Sequence, residues 1–186
     1  EMMRQAGVHG MIFYHYWFSG RLILENPAQM LLVNPQIHIP FSFCWANENW
    51  TRRWDGNERE ILLGQDYSTD DARAFIRYLL PFFRDARYIK VEGRPLLFVY
   101  RPSSMEFCEE YLRVWREECE REGIPAPYVV ATLTRGATSP SDYGMDAAVE
   151  RVLHDWTGGA VPDIRDELLA YGPLNGSVLD YSAVAD

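Results

Sequence analysis

Short apolar runs alternate along the chain with stretches whose apolar residues recur at helical spacing. The run Val8-His9-Gly10-Met11-Ile12-Phe13-Tyr14-His15-Tyr16-Trp17-Phe18 reads as a strand ending in aromatic residues. Residues 27–32 suit a short helix, and the apolar run 39–44, leading to Trp45, predicts a second strand. Ser68-Thr69-Asp70-Asp71 has capping-box spacing. Behind it Ala72, Phe75, Ile76, Leu79 and Phe83 mark a helix that Pro81 is expected to kink or end. Residues 88–91, a Glu92-Gly93 turn and residues 95–100 predict a hairpin feeding a buried third strand. A long helix then places Cys108, Leu112, Trp115 and Cys119 on one face, with Gly123 just past its end. A fourth strand is expected at 128–133 and a fifth at 146–149, followed by a short helix at 163–169 and a strand at 178–181. Residues 1–6 have helical propensity and stop at Gly7, which reads as a chain beginning inside an element.

Buried strands alternating with amphipathic helices imply a parallel sheet, either a (β/α)8 barrel or an open doubly wound fold. Both architectures gather function beyond the C-terminal ends of the strands. Here those ends carry Tyr14-His15-Tyr16-Trp17, Trp45-Ala46-Asn47-Glu48 and Tyr100-Arg101. After the first strand, Phe18-Ser19-Gly20-Arg21 has a single glycine where a nucleotide-binding sheet carries a Gly-rich phosphate loop. The expectation is therefore α/β, a TIM-barrel-like (β/α)8 fold present in part. It comprises about five or six βα units in one domain over residues 1–186, truncated at both ends.

The densest chemistry follows the second strand. Trp45-Ala46-Asn47-Glu48-Asn49-Trp50-Thr51-Arg52-Arg53-Trp54-Asp55-Gly56 holds three tryptophans, two arginines, two carboxylates and two asparagines. A core strand has no use for such a mixture, whereas a pyranose does. Its C–H face packs on an aromatic ring, and its hydroxyls need paired donors and acceptors. Composition strengthens this reading, since 14% of the 186 residues are aromatic. A net charge of −9 argues against nucleic acid and against an anionic membrane surface, and no apolar run is long enough to span a bilayer.

Individual roles can be weighed against plainer ones. Tyr14, His15 and Trp17 would form one wall of a pocket; alternatively His15 is a core histidine among packed aromatics. Glu48, just past a strand end, is the better acid–base candidate, with Asp55 as its companion. A structural Arg–carboxylate network through Arg53 and Asp55 is the bland alternative. Trp45, Trp50 and Trp54 are candidate stacking platforms, and Asn47, Tyr100 and Arg101 complete the lining. The four histidines are scattered without ligand spacing, so no metal is expected, and no cofactor. Cys44, Cys108 and Cys119 read as small buried residues of a reduced, cytoplasmic chain. Cys108 and Cys119, about 16 Å apart along one helix, cannot bridge. Asp70-Asp71 reads as charge at a helix N-terminus, and Glu117, Glu118, Glu120 and Glu122 as a solvated face.

The block at 14–18, the block at 45–56, Tyr78-Leu79-Leu80-Pro81, Arg87-Tyr88-Ile89-Lys90-Val91, Gly93-Arg94-Pro95 and Tyr100-Arg101-Pro102 together resemble the WbsX-type family. This is a glycoside-hydrolase-family-99-like group linked to lipopolysaccharide and capsule biosynthesis. The likeness runs from about residue 7 to 102, and more loosely to 149. It implies a (β/α)8-type barrel acting on an oligosaccharide or polysaccharide, by glycosyl transfer or endo-type hydrolysis. The related endo-mannosidases place a carboxylate pair on a downstream Asn-Glu-Trp…Glu segment that this sequence does not contain. Arg151-Val152-Leu153-His154 stands where the family tends to have an aromatic-Pro-Pro-His turn. The alternatives are a non-catalytic glycan-binding module attached to a glycosyltransferase domain, and a structural module.

Overall fold

In the computed structural model, residues 2–52, 57–134, 139–150 and 164 are described. They fall in two compact units, one of Glu1–Glu48 with Gln65–Val149 and one of Asn49–Gly64 with Glu150–Asp186. The larger unit opens with a short helix α1 (Met2–Gln5), closed by Gly7 in the left-handed conformation. Strand β1 (Met11–Phe18) turns through Ser19-Gly20, both at positive φ, into β2 (Arg21–Ile23), its antiparallel neighbour. Helix α2 (Asn26–Val33) then leads to β3 (Phe41–Trp45), parallel to β1.

In the second unit, β4 (Trp50–Arg52) and β5 (Asn57–Leu63) pair antiparallel, with a register irregularity at Thr51. The first unit resumes with α3 (Thr69–Arg84), the β6 (Lys90–Val91)–β7 (Arg94–Val99) hairpin, α4 (Cys108–Arg121), β8 (Tyr128–Leu133) and all but the last residue of β9 (Ala147–Glu150). Helix α3 runs through Pro81 to Arg84, so the proline does not end it. The hairpin turn at Glu92-Gly93 has both residues at positive φ, the geometry that matches strand twist. The expected helix at 163–169 and strand at 178–181 lie, residue 164 aside, outside the described residues.

The sheet order is β2-β1-β3-β7-β8-β9, and β1, β3, β7 and β8 are mutually parallel. Each parallel strand is added beside its predecessor in chain order. A doubly wound sheet would reverse direction at a switch point; sequential addition is the barrel pattern. The arrangement is a partial TIM-barrel-like one. Phe41, Phe43 and Trp45 of β3, Leu97 and Val99 of β7, and Val129 and Ala131 of β8 all point to one face. There they pack with Phe75, Ile76, Leu79, Phe82 and Phe83 of α3 and Leu112 and Trp115 of α4.

Two expectations about charge are corrected. Glu118 is 1% exposed, not part of a solvated face: it accepts from Arg73 Nε (3.0 Å), Arg77 Nε (2.9 Å) and Arg121, tying α3 to α4. Asp71 does more than favour a helix dipole. Ser68 Oγ accepts its backbone N–H (3.2 Å), as a capping box requires, but the carboxylate does not reach back to Ser68. Asp66 fills that role (3.2 Å), leaving buried Asp71 to accept from Trp17 Nε1 (2.7 Å) and Tyr111 OH (2.6 Å).

Two arginines of the motif blocks staple the opposite, N-terminal edge of the sheet. Arg87 donates to the carbonyls of Leu31, Asn34 and Ile37, satisfying groups at and beyond the C-terminus of α2 while Asp85 holds its guanidinium. Arg94 grips both Asp146 oxygens at 2.8 Å and the carbonyls of Ala126 and Pro127, joining β7 to the entries of β8 and β9.

Candidate functional site

Alternation along the strands sorts the aromatic residues of the sequence blocks onto two faces. In the parallel register His15 stands beside Trp45 and Trp45 beside Val99, a row facing the helices. Tyr14 stands beside Cys44 and Cys44 beside Phe98, a row on the other face. Tyr14 and His15 therefore do not share a wall.

The helix-facing row is core. Trp45 is fully buried, stacked on Tyr111 (centroids 5.6 Å, 18°), with its indole N–H donating to the Trp17 carbonyl (3.3 Å). Trp17 packs against Phe75 and Tyr78 and gives its N–H to Asp71. His15, 2% exposed, stacks on Tyr78 (5.3 Å, 19°) and tilts against Phe43, and its Nε2 has no partner among the described residues. Burial pushes this imidazole down to about 4, so it is neutral at pH 7.

The sign of the linkage is that of a base held neutral by folding. The unfolded imidazole takes its proton first, so the contribution is complete above pH 6.5 and shrinks as pH falls towards 4. Between pH 7 and pH 5 about 2 kcal/mol of stability should be lost through this group. Urea melts of His15→Phe at the two pH values are expected to show that loss removed. Equal losses in wild type and variant would assign the acid sensitivity elsewhere.

The opposite face carries the polar chemistry at its rim. Glu48, following β3, forms an ion pair with Arg101, following β7; their side chains are 30% and 19% exposed. One amide sets this pair. The Asn47 side chain, fully buried, accepts from the Arg101 backbone N–H (2.7 Å) and donates to the Arg101 carbonyl (2.8 Å), bridging β3 to β7 where the strand ladder has stopped. Behind it Tyr67 donates its hydroxyl to the Asn47 carbonyl, and Thr134 Oγ1 donates to the Tyr100 carbonyl (3.1 Å). Arg101 Nε is buried with no partner among the described residues.

Beside the pair, Tyr14 and Tyr100 meet edge to face (5.7 Å, 77°), and Tyr14 is 53% exposed. Tyr16 belongs to the same row by parity; burial first, then Tyr14, Cys44 and the Glu48 charge, raise its phenol above the ordinary value. The rim thus offers exposed aromatic surface, a carboxylate, a guanidinium and phenols within one patch.

The structure brings together Tyr14, Asn47, Glu48, Tyr100 and Arg101 and adds Tyr16, Tyr67 and Thr134, which the sequence reading passed over. Tyr16 was detectable, two residues from Tyr14 on a strand. Tyr67 and Thr134 are joined to the rim by contacts across 20 and 34 residues, which no local pattern signals. Trp50 lies on the β4–β5 hairpin of the second unit, paired with Leu63. Arg53, Trp54 and Asp55, like Arg151 to His154, lie outside the described residues. Among the described residues no cluster of histidine, cysteine and carboxylate could hold a metal ion, and no helix is long and apolar enough to cross a membrane.

The family model described as Glycosyltransferase WbsX matches residues 1–184. The chain belongs to this WbsX family. The resemblance carried by the 14–18 and 45–56 blocks is thereby borne out. Among curated proteins, the WbsX-family chain is 35% identical over 185 residues to the protein WxcX of one strain of Xanthomonas campestris pv. campestris, covering all of the chain and 26% of that protein. It is 38% identical over 150 residues to WxcX of strain B100, covering 81% of the chain and 22% of that protein. The chain therefore spans about a quarter of the length of these relatives. Among solved structures, a glycoside hydrolase-like protein superposes with a TM-score of 0.51 at 12% identity, over 80% of the chain and 47% of that structure. At that identity the likeness concerns the fold, and it agrees with a partial barrel.

Proposed function

We propose that this WbsX-family chain is a carbohydrate-active unit of surface-polysaccharide biosynthesis, which takes hold of a glycan at the C-terminal rim of its parallel sheet. The observations that carry the reading are the Tyr14–Tyr100 aromatic pair and the Glu48–Arg101 ion pair, which share the Tyr100-Arg101 segment that follows β7. A sugar ring packs on the exposed Tyr14 face, while the carboxylate accepts from its hydroxyls and the guanidinium donates to them. The family description and the barrel-type fold support a glycan as ligand, because such folds gather their sites at this end of the strands.

Glu48 acts as a hydrogen-bond acceptor in this reading. Its engagement with the Arg101 guanidinium favours binding and orientation at this residue. Glycosyl transfer or endo-type cleavage would be the chemistry of the longer protein, with this rim positioning the chain being extended or cut.

The test is calorimetric titration of the protein with oligosaccharide fragments of bacterial surface polysaccharides. Tyr100→Ala and Tyr14→Ala are each expected to weaken binding about tenfold, a loss of aromatic stacking, with the far-ultraviolet circular dichroism unchanged. Unchanged affinity in both variants would remove the rim from consideration, and failure of every glycan to bind would remove the glycan reading.

A further inference from the structure

Resting on that glycan-binding reading, we infer that Glu48 is a specificity-determining residue: by covering Arg101 it makes the rim select neutral sugars and reject acidic ones. Three observations meet in this assignment. Arg101 places a cation at the rim, its backbone held on both sides by the Asn47 amide, which fixes where the side chain starts. The Glu48 carboxylate sits directly on its guanidinium. The aromatic groups beside the pair, Tyr14 against Tyr100 and Tyr16 on the same row of β1, are phenols, which bring no positive charge of their own.

The charge balance of the pair decides what it can bind. A bare arginine at the end of a strand is a bidentate receptor for a carboxylate or phosphate. Arginine already engaged by a carboxylate offers only its remaining N–H groups, and an approaching uronate must first displace Glu48 or lie beside it. Like charge at hydrogen-bond distance is repulsive, and in a half-buried site that repulsion is screened less than in bulk water. A neutral hexose meets no such penalty. It can accept from the free guanidinium N–H groups and donate to the free oxygen of Glu48 at the same time. The overall charge of −9 works in the same direction at longer range, disfavouring the encounter with polyanionic chains.

The experiment uses matched pairs of methyl glycosides that differ only at C6, a hydroxymethyl group in the hexoside and a carboxylate in the uronoside. The gluco, galacto and manno series are titrated by saturation-transfer NMR. For wild type, whichever hexoside binds is expected to bind at least about tenfold better than its uronoside at low salt. The gap should narrow as ionic strength rises, while hexoside binding stays flat. In Glu48→Gln the order should reverse or level, through a gain of about tenfold for the uronoside as Arg101 is uncovered. Glu48→Gln with Arg101→Gln should lose that gain.

A wild-type preference for uronosides, or a hexoside-to-uronoside ratio that neither salt nor Glu48→Gln changes, overturns the inference while leaving the rim a glycan site. Binding of no glycoside of either kind overturns both. Should Glu48→Gln fail to fold, the salt dependence of the wild-type ratio decides the matter alone.

Discussion

Replacing Asp71 by alanine is expected to cost about 3 kcal/mol of folding stability. Its carboxylate takes the Trp17 indole N–H at 2.7 Å and the Tyr111 hydroxyl at 2.6 Å, both in a buried setting. Removing it leaves two buried donors without acceptors, and each orphan carries its full desolvation penalty. Tyr111 stacks on Trp45, so the loss would be felt in the ring cluster beneath the rim. Asp71→Asn keeps one acceptor oxygen and should lose about half as much. Burial raises the Asp71 carboxyl above its ordinary value, so the amide also relieves the cost of a buried charge. Urea unfolding at pH 7 reads both variants. An alanine variant within about 0.5 kcal/mol of wild type would mean that water replaces the carboxylate at no cost.

The second large effect concerns the helix layer. Glu118→Ala should destabilise by about 2–3 kcal/mol, because three guanidinium groups lose their common partner and face one another across α3 and α4. Arg73 is about one-third exposed and Arg77 and Arg121 are more than half exposed, which keeps the figure below that of a fully buried pair. Against burial, which would raise it, the three donors hold the Glu118 carboxyl below its ordinary value of 4.5. The stabilisation is therefore complete above that pH and is lost as pH falls below it. Wild type should lose stability on acidification below pH 4.5 more steeply than Glu118→Gln, which cannot titrate. Parallel acid profiles would place the sensitivity in other carboxylates.

Both residues are readable in the sequence as acidic groups on helices, Asp71 as charge at a helix N-terminus and Glu118 as part of a solvated face. Helical spacing places Glu118 near the apolar stripe of α4, between Trp115 and Cys119, yet it does not say that three arginines wait there. Two of them, Arg73 and Arg77, come from a different helix more than 40 residues away. Asp71 was recognised through its cap spacing, but local spacing could not anticipate that Asp66 would take the reciprocal half of the box. That exchange freed the carboxylate for β1 and α4.

The elements themselves were legible. The apolar runs at 128–133 and the hairpin before β7, the stripe of α3 and the glycine after α4 each appear where local pattern places them. A two-residue period, a 3.6-residue period and a positive φ are enforced by neighbours along the chain and need no tertiary partner. The hairpins β1–β2 and β4–β5 were passed over, since their strands are short and mixed in composition. Membership of the WbsX family was legible for a different reason, the length of the 14–18 and 45–56 blocks.

What the sequence by itself determined was therefore the list of strands and helices, the parallel α/β class, and the concentration of polar and aromatic groups at the ends of β1, β3 and β7. Only the tertiary structure decided which of those groups can meet a ligand. Parity along a strand separates Tyr14 and Tyr16 from His15 and Trp17, but it is symmetric between the two faces. The packing of α3 and α4 on one face breaks that symmetry, turning Trp45, Trp17 and His15 into core and leaving Tyr14, Glu48, Tyr100 and Arg101 at the rim. The same holds for the Glu48–Arg101 pair, whose partners are 53 residues apart and are brought together by the Asn47 amide after the strands have aligned.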